Sequence, residues 1–457
     1  MKTEKNVLYI HTHDTGRVLS PYGYQVPTPA IQEFADDALL FRKCFAAAPT
    51  CSPSRAAMLT GMYPHENGML GLAQRGFSID YSKHLVQYLN RHNYCTVLSG
   101  IQHESGWYLN RDDAAKIGYR ENLTAETGKY RDEDLVYWDM ENAESAADWL
   151  KACDKEQPFF MSYGMHATHR KFPDWLEEGT NPAHLMPPVS VPDFPEARED
   201  YARFVTSVKW ADRCFGKVIQ ALKDSGLYEN TIILFTTDHG IPFPYHKCTL
   251  FDAGIGVNFM LRVPGMETSG QATDSLISHL DVFPTLCELL ELPVPAHVKG
   301  VSFAPVVRDT KVAVRDEIFA EVTFHTSYEP IRCIRTERYK YIRYYDEEYL
   351  KINQSNTDES PTKDFFNEKG MAAQTKYREA LYDLVFDNGE HNNCMELPQY
   401  REVYQELSEK LDMHLRATHD KILTGAIAVK PSWKVNKKEC LRASSKNPDD
   451  YVSFGEQ

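Results

Sequence analysis

Short apolar runs recur along this chain, and several stop at a cluster of histidine, aspartate or arginine. Asn6-Val7-Leu8-Tyr9-Ile10 reads as a buried β-strand and runs into His11-Thr12-His13-Asp14-Thr15-Gly16-Arg17. Tyr94-Cys95-Thr96-Val97-Leu98 leads to Gly100-Ile101-Gln102-His103, and Pro158 to Tyr163 leads to His166-Ala167-Thr168-His169-Arg170. Thr231-Ile232-Ile233-Leu234-Phe235 ends in Thr236-Thr237-Asp238-His239-Gly240. Between these runs the spacing turns helical: Pro29 to Leu39, a stretch around Leu85, Val86 and Leu89, Ala143 to Leu150, and Glu199 to Leu222. Strand, polar cluster and helix in alternation predict an α/β fold. Its doubly wound, mostly parallel sheet is expected to carry its site along the C-terminal ends of the strands. The proline-rich stretch Pro182 to Pro195 is expected to cover one edge of that site.

Beyond Pro305 the pattern changes. Glu317 to Val322 and Tyr339 to Tyr344 are half-polar, aromatic runs of an antiparallel sheet, and Tyr400 to Leu415 is an amphipathic helix expected to pack on it. These changes divide the chain into a larger part that carries the polar clusters, residues 1–310, and a smaller α+β part, residues 311–457. Asn353 to Lys363 is polar and rich in turn formers, which predicts an exposed loop.

With 457 residues, 42% of them hydrophobic, there is enough chain for a large core. A formal charge of -15 excludes the basic footprint of a nucleic-acid binder and disfavours long polyanionic substrates. No apolar run is long enough to span a bilayer, and the N-terminus carries no signal-peptide stretch. Ten cysteines scattered singly suit reduced thiols, so a cytoplasmic location away from membranes is expected.

The candidate chemistry centres on Ala48-Pro49-Thr50-Cys51-Ser52-Pro53-Ser54-Arg55, a turn entering a short helix that Gly61 stops. Cys51 lies at the helix start, where free N–H groups favour an anion, and Arg55 follows one turn later. Local features leave two readings, a small buried side chain or a reactive group.

C-x-P-x-R at Cys51 to Arg55, Leu59-Thr60-Gly61, and Tyr63-Pro64-His65-Glu66-Asn67-Gly68 resemble the signature of type I sulfatases. That family belongs to the alkaline-phosphatase-like superfamily. Asp238-His239-Gly240-Ile241-Pro242-Phe243-Pro244 is similar to the sulfamidase (N-sulfoglucosamine sulfohydrolase) branch, apart from the histidine. The resemblance implies that Cys51 is oxidised to formylglycine (3-oxoalanine) by a maturation enzyme. It implies one divalent cation held at the positions of His13, Asp14, Asp238 and His239. Family members use oxygen ligands and Ca²⁺, whereas imidazole at two of four positions suits Mn²⁺, Zn²⁺ or Fe²⁺. Either the ion is a borderline one, or a histidine stays outside its shell while Ca²⁺ takes fewer ligands from the chain. The family lysine after the second run is Ile101 here, with Arg17 a candidate replacement; His103 keeps the family histidine and Gln102 lies between them. Lys247 matches a residue that holds a sulfate oxygen, and His166 and His169 match a histidine pair, His169 being the preferred proton donor. In the implied mechanism the hydrated aldehyde attacks sulfur, the leaving group is protonated, and the second hydroxyl expels sulfate. A thiol has no such hydroxyl.

The expected activity is hydrolysis of a sulfate ester or sulfamate of a small sulfated sugar. The alternatives are a phosphonate monoester or phosphodiester hydrolase of the same superfamily, and a non-catalytic binder of sulfated glycans.

Overall fold

In a computed structural model that describes residues 5–453, the four runs ending in polar clusters are neighbouring strands in one eight-stranded sheet. The strands are β1 (Asn6–Thr12), β2 (Leu39–Phe41), β3 (Cys95–Gly100), β4 (Glu121–Asn122), β5 (Phe159–Gly164), β6 (Thr231–Thr237), β7 (Phe259–Arg262) and β8 (Ala272–Thr273). Their spatial order is β4-β3-β5-β1-β6-β7-β2-β8. The central strands are parallel, and β7 runs antiparallel to both β6 and β2. The sheet is therefore mostly parallel, as the alternation of runs and helices predicts.

β1 and β6 are buried along their whole length, which is why they read as unbroken apolar runs. Alternate side chains go to opposite faces. Leu8, Ile10, Ile233 and Phe235 pack under α2 (Leu135–Ala152) and α3 (Pro195–Asp224) through Ala143, Leu150, Phe204 and Phe215. Val7, Tyr9, Ile232 and Leu234 pack on the other side with Met58 and Leu59 of α1 (Cys51–Thr60) and with Leu85 and Leu89.

Strand register places the site. Thr12 pairs with Thr237, His11 with Gly164, and Gly100 with Gly164. The residues that follow each strand therefore leave the sheet side by side. Gly100 has φ of +82°, and a Cβ there would lie 2.0 Å from the Gly164 carbonyl oxygen, so the close approach of β3 to β5 requires glycine.

A second sheet contains β9 (Glu317–Phe324), β10 (Tyr328–Thr336), β11 (Tyr339–Tyr344) and β12 (Glu379–Asp383), antiparallel and in that order. Leu407, Leu411 and Leu415 of α4 (Arg401–Ala417) cover one face against Ile334, Tyr341 and Leu381. The other face shares a core with Phe45, Leu250, Ile255 and Leu276.

Two expectations are corrected. The helix from Pro29 ends at Ala35, because Leu39 and Leu40 pair with Leu261 and Met260 as strand β2. The segment from Asn353 to Lys363 is not an exposed loop. Asn353, Gln354, Ser355, Asn356, Thr362 and Lys363 are buried, and the side chains of Asn353, Asn356, Thr362 and Lys363 bond to protein instead of water. Among the described residues no helix is long and apolar enough to cross a membrane.

Candidate active site

The residues after β1 and β6 form the floor of the site. Asp14 takes a left-handed backbone (φ +59°), which aspartate tolerates, and its N–H donates to Asp238 Oδ1 at 2.8 Å. His13 Nε2 lies 3.3 Å from Asp238 Oδ2 and 3.6 Å from Asp14 Oδ1. His239 Nδ1–H donates to the Gly240 carbonyl at 3.0 Å, and its Nε2 lies 3.2 Å from Asp14 Oδ1.

Cys51 is the first residue of α1, preceded by Thr50 with an extended backbone. Its Sγ lies 3.4 Å from His239 Nε2 and 3.9 Å from Asp14 Oδ1. Burial pushes the Cys51 thiol well above its ordinary pKa, and nearby Lys247 offsets this only in part. The unmodified side chain is a protonated thiol and a poor nucleophile. Arg55 points behind this group. It donates to Asp238 Oδ2 (3.2 Å), His11 Nδ1 (2.6 Å) and the Thr12 carbonyl (3.1 Å). Its charge orders Asp238 rather than meeting the Cys51 side chain.

Lys247 stands between Tyr245 and Cys248, whose positive φ angles of 65° and 68° loop it inward. Its Nζ is 2.8 Å from Asp14 Oδ2 and 3.1 Å from Asp358 Oδ2. His169 Nδ1–H donates to the Arg170 carbonyl at 2.5 Å, leaving Nε2 4.0 Å from Asp14 Oδ2. His166 lies with its ring 5.3 Å from that of His169. His103 Nε2–H donates to Gln74 Oε1 at 2.9 Å, while its buried Nδ1 has no hydrogen-bond partner. Burial, with Lys247 alongside, pulls His169 down to about 4, and burial also holds His103 and His13 well below 6.5. These imidazoles are neutral at pH 7.

The donor set fits a divalent cation. Both ring nitrogens of His13 are buried without a hydrogen bond, a cost that a metal ligand does not bear. Ligand atoms of His13, Asp14, Cys51 and Asp238 all lie within 4.8 Å of one another. His239 joins them from the Cys51 side. Burial raises Asp14 to about 6 despite Lys247, whereas His239 and Arg55 outweigh burial at Asp238 and hold it below the usual carboxylate range.

Two of the residues singled out in the sequence are not brought to this cluster. The Arg17 guanidinium bonds the carbonyls of Cys44 (3.0 Å) and Val257 (3.4 Å) and lies over the Phe45 ring, so it does not replace the missing lysine. The Gln102 side chain is consumed by its own turn, accepting from the N–H groups of Glu104 and Ser105 and donating to the Ser105 carbonyl. Ile101 packs with Tyr108, Leu135 and Trp138. Conversely, Asp358 and Gln74 reach the site from segments that carry no local signal of chemistry.

The sulfatase family model matches residues 5–292, more than half of the chain, and a model of the N-sulphoglucosamine sulphohydrolase C-terminal region matches residues 238–379. Human N-sulphoglucosamine sulphohydrolase is 25% identical over 467 residues, covering 91% of each chain. An ulvan-active sulfatase of Formosa agariphila is 26% identical over 91% of this chain and 75% of its own. Among solved structures, a 2-O GAG sulfatase superposes with a TM-score of 0.72 at 21% identity, covering 94% of this chain and 95% of that one. The phosphonate monoester hydrolase of Agrobacterium radiobacter superposes with a TM-score of 0.70 at 20% identity, over 93% and 100%. These two superpositions establish the fold alone, alkaline-phosphatase-like; the family models, placed on the Cys51 and Asp14–Asp238 geometry, establish more. The chain belongs to the sulfatase family of sulfuric ester hydrolases.

Proposed function

We propose that this sulfatase hydrolyses a sulfate ester or sulfamate of a small sulfated sugar. In this reading Cys51 is matured to formylglycine by a generating enzyme, and one divalent cation is held by His13, Asp14, Asp238 and His239. The observation that carries it is the Cys51 side chain at the start of α1, 3.4 Å from His239 and 3.9 Å from Asp14. Formylglycine supplies a hydrated aldehyde as nucleophile, and the cation supplies Lewis acidity toward a sulfate oxygen.

The remaining roles fall to groups of the chain itself. Lys247 Nζ and the free N–H groups at the start of α1 hold sulfate oxygens. Arg55 and His11 fix Asp238 from behind. His169, and His103 beside it, supply the proton that the leaving oxygen or nitrogen takes up. A bound sulfate anion raises these depressed imidazoles toward the pH at which Nε2 of His169 carries a proton. His166 packs beside His169 and orients it. The sugar substrate is supported by the human relative, which by its name acts on N-sulphoglucosamine, and by a structural neighbour in complex with D-glucosamine-2-N,6-O-disulfate. We also propose a reducing, cytoplasmic compartment, from ten cysteines scattered singly along the sequence.

The pair Asp238-His239 favours a second reading, a phosphonate monoester hydrolase on the same fold. One experiment separates the two. Native protein is digested for mass spectrometry across Cys51, its metal content is measured, and turnover of p-nitrophenyl sulfate and p-nitrophenyl phenylphosphonate is compared. The expected result is an aldehyde at position 51, one bound transition metal and faster cleavage of the sulfate. Faster phosphonate cleavage moves the assignment to the second reading, and an unmodified thiol removes the mechanism.

A further inference from the structure

Asp358 is the unexpected member of the cluster. It comes from the segment 353–363, and this segment is pinned on both sides. Asn356 Oδ1 accepts from the N–H groups of Thr326 (3.0 Å) and Ser327 (2.9 Å), and its amide donates to Glu329 (2.7 Å). Beyond Asp358, Thr362 donates to Asp200 (2.6 Å), and Lys363 Nζ donates to the Leu441 carbonyl (3.0 Å). The carboxylate is thus held in place before any ligand arrives.

Its chemistry is wrong for binding sulfate. A carboxylate 3.1 Å from Lys247 Nζ repels an incoming anion and weakens the lysine's hold on it. It has a role only if it meets a different part of the substrate. Exposure points the same way: the Asp14 and Asp238 side chains are fully buried, whereas those of Asp358 and His169 keep 16% and 18% exposure. Of these four side chains, His169 and Asp358 are therefore the ones that an entering molecule can reach. An ionised carboxylate only accepts hydrogen bonds, so its partner is a donor. His325, buried in the hairpin against which the segment is docked, keeps Nδ1 without a hydrogen-bond partner.

We propose that Asp358 is a specificity-determining residue, whose carboxylate accepts hydrogen bonds from a hydroxyl or amino group of the sugar next to the scissile sulfate. The substrate class that follows is a sulfated sugar with a free hydroxyl or amine beside the sulfated position. This rests on the sulfatase reading above and adds which face of the substrate is recognised, and by what.

The test compares Asp358→Asn and Asp358→Ala with the wild type on p-nitrophenyl sulfate and on the fastest-cleaved of glucosamine N-sulfate, glucosamine 6-sulfate and galactosamine 4-sulfate. The aryl sulfate offers no hydroxyl to Asp358. The expected result is a loss of kcat/KM on the sugar sulfate that exceeds the loss on the aryl sulfate by about 10- to 100-fold, the range of a hydrogen bond to a charged group. Equal losses on both substrates overturn the assignment, because Asp358 then acts only through Lys247. A second arm needs no variant: the same sugar sulfate lacking the neighbouring hydroxyl or amine should lose a similar factor with the wild type. No loss there overturns the assignment as well. Aryl sulfate turnover by the wild type carries the sulfatase reading independently, so either failure leaves that reading standing.

Discussion

Arg55 is 1% exposed and divides its guanidinium among Asp238, His11 and the Thr12 carbonyl. Removing it leaves Asp238 charged, buried and without its main cation. Arg55→Ala should therefore cost about 3–5 kcal/mol of stability, read as a lower urea midpoint, and Arg55→Lys should recover only part because the fork of donors is lost. At this scale the sequence was informative where chemistry sits beside a motif, as at Cys51, and where two acidic positions follow apolar strands, as at Asp14 and Asp238. It was misleading at Arg17 and Gln102. Both follow strands in the same way, and only side-chain direction separates a residue bonded to its own turn from one facing the site.

The strands act as a ruler for the candidate site residues. Because β3, β5, β1 and β6 are parallel and in register, a change at a strand end shifts a whole polar cluster. Gly100 is such an end. Alanine there meets the Gly164 carbonyl oxygen at 2.0 Å in a left-handed backbone, so either β3 moves or the turn rebuilds. Gly100→Ala should destabilise by at least about 1–2 kcal/mol and displace His103, lowering kcat more than its effect on melting predicts. Thermal denaturation with steady-state kinetics on one preparation checks both. The strands and long helices were legible because burial on both faces leaves continuous apolar runs. The segment 353–363 was not, because a polar stretch hydrogen-bonded to protein has the same composition as one bonded to water.

At the scale of the molecule the second sheet is tied to the turn after α1 by a buried ionic network. His65, in the turn after α1, pairs through Nδ1 with Glu321 of β9 and lies 3.7 Å from Asp420, which in turn pairs with Arg332 of β10 at 2.6 Å. Burial alone lowers His65, but Glu321 and Asp420 outweigh it and hold its pKa above 6.5. A raised folded pKa means that the contribution is fully present below the unfolded value and fades as pH rises through the folded one. The wild type should therefore lose urea resistance as pH rises above about 6.5, and His65→Gln should flatten that slope. An equal slope in both proteins refutes the role of His65. The division at residue 310 we keep as a proposal about architecture. Phe45, Leu250 and Ile255 share one core with Ile318, Ile331 and Ile342, so the two parts are expected to fold together.

The sequence by itself determined the sheet class and two polar clusters at strand ends, which follow from periodicity and burial, both local properties of the chain. The proposed nucleophile, Cys51, came from the resemblance of its motif to a family. Tertiary structure decided which charges meet. Arg55 turned from Cys51 to Asp238, Arg17 was spent on carbonyls, and Asp358 arrived more than 100 residues after Lys247 to stand 3.1 Å from it. Electrostatic energy depends on distances of a few ångströms, and spacing along the chain does not encode such distances between segments far apart in sequence.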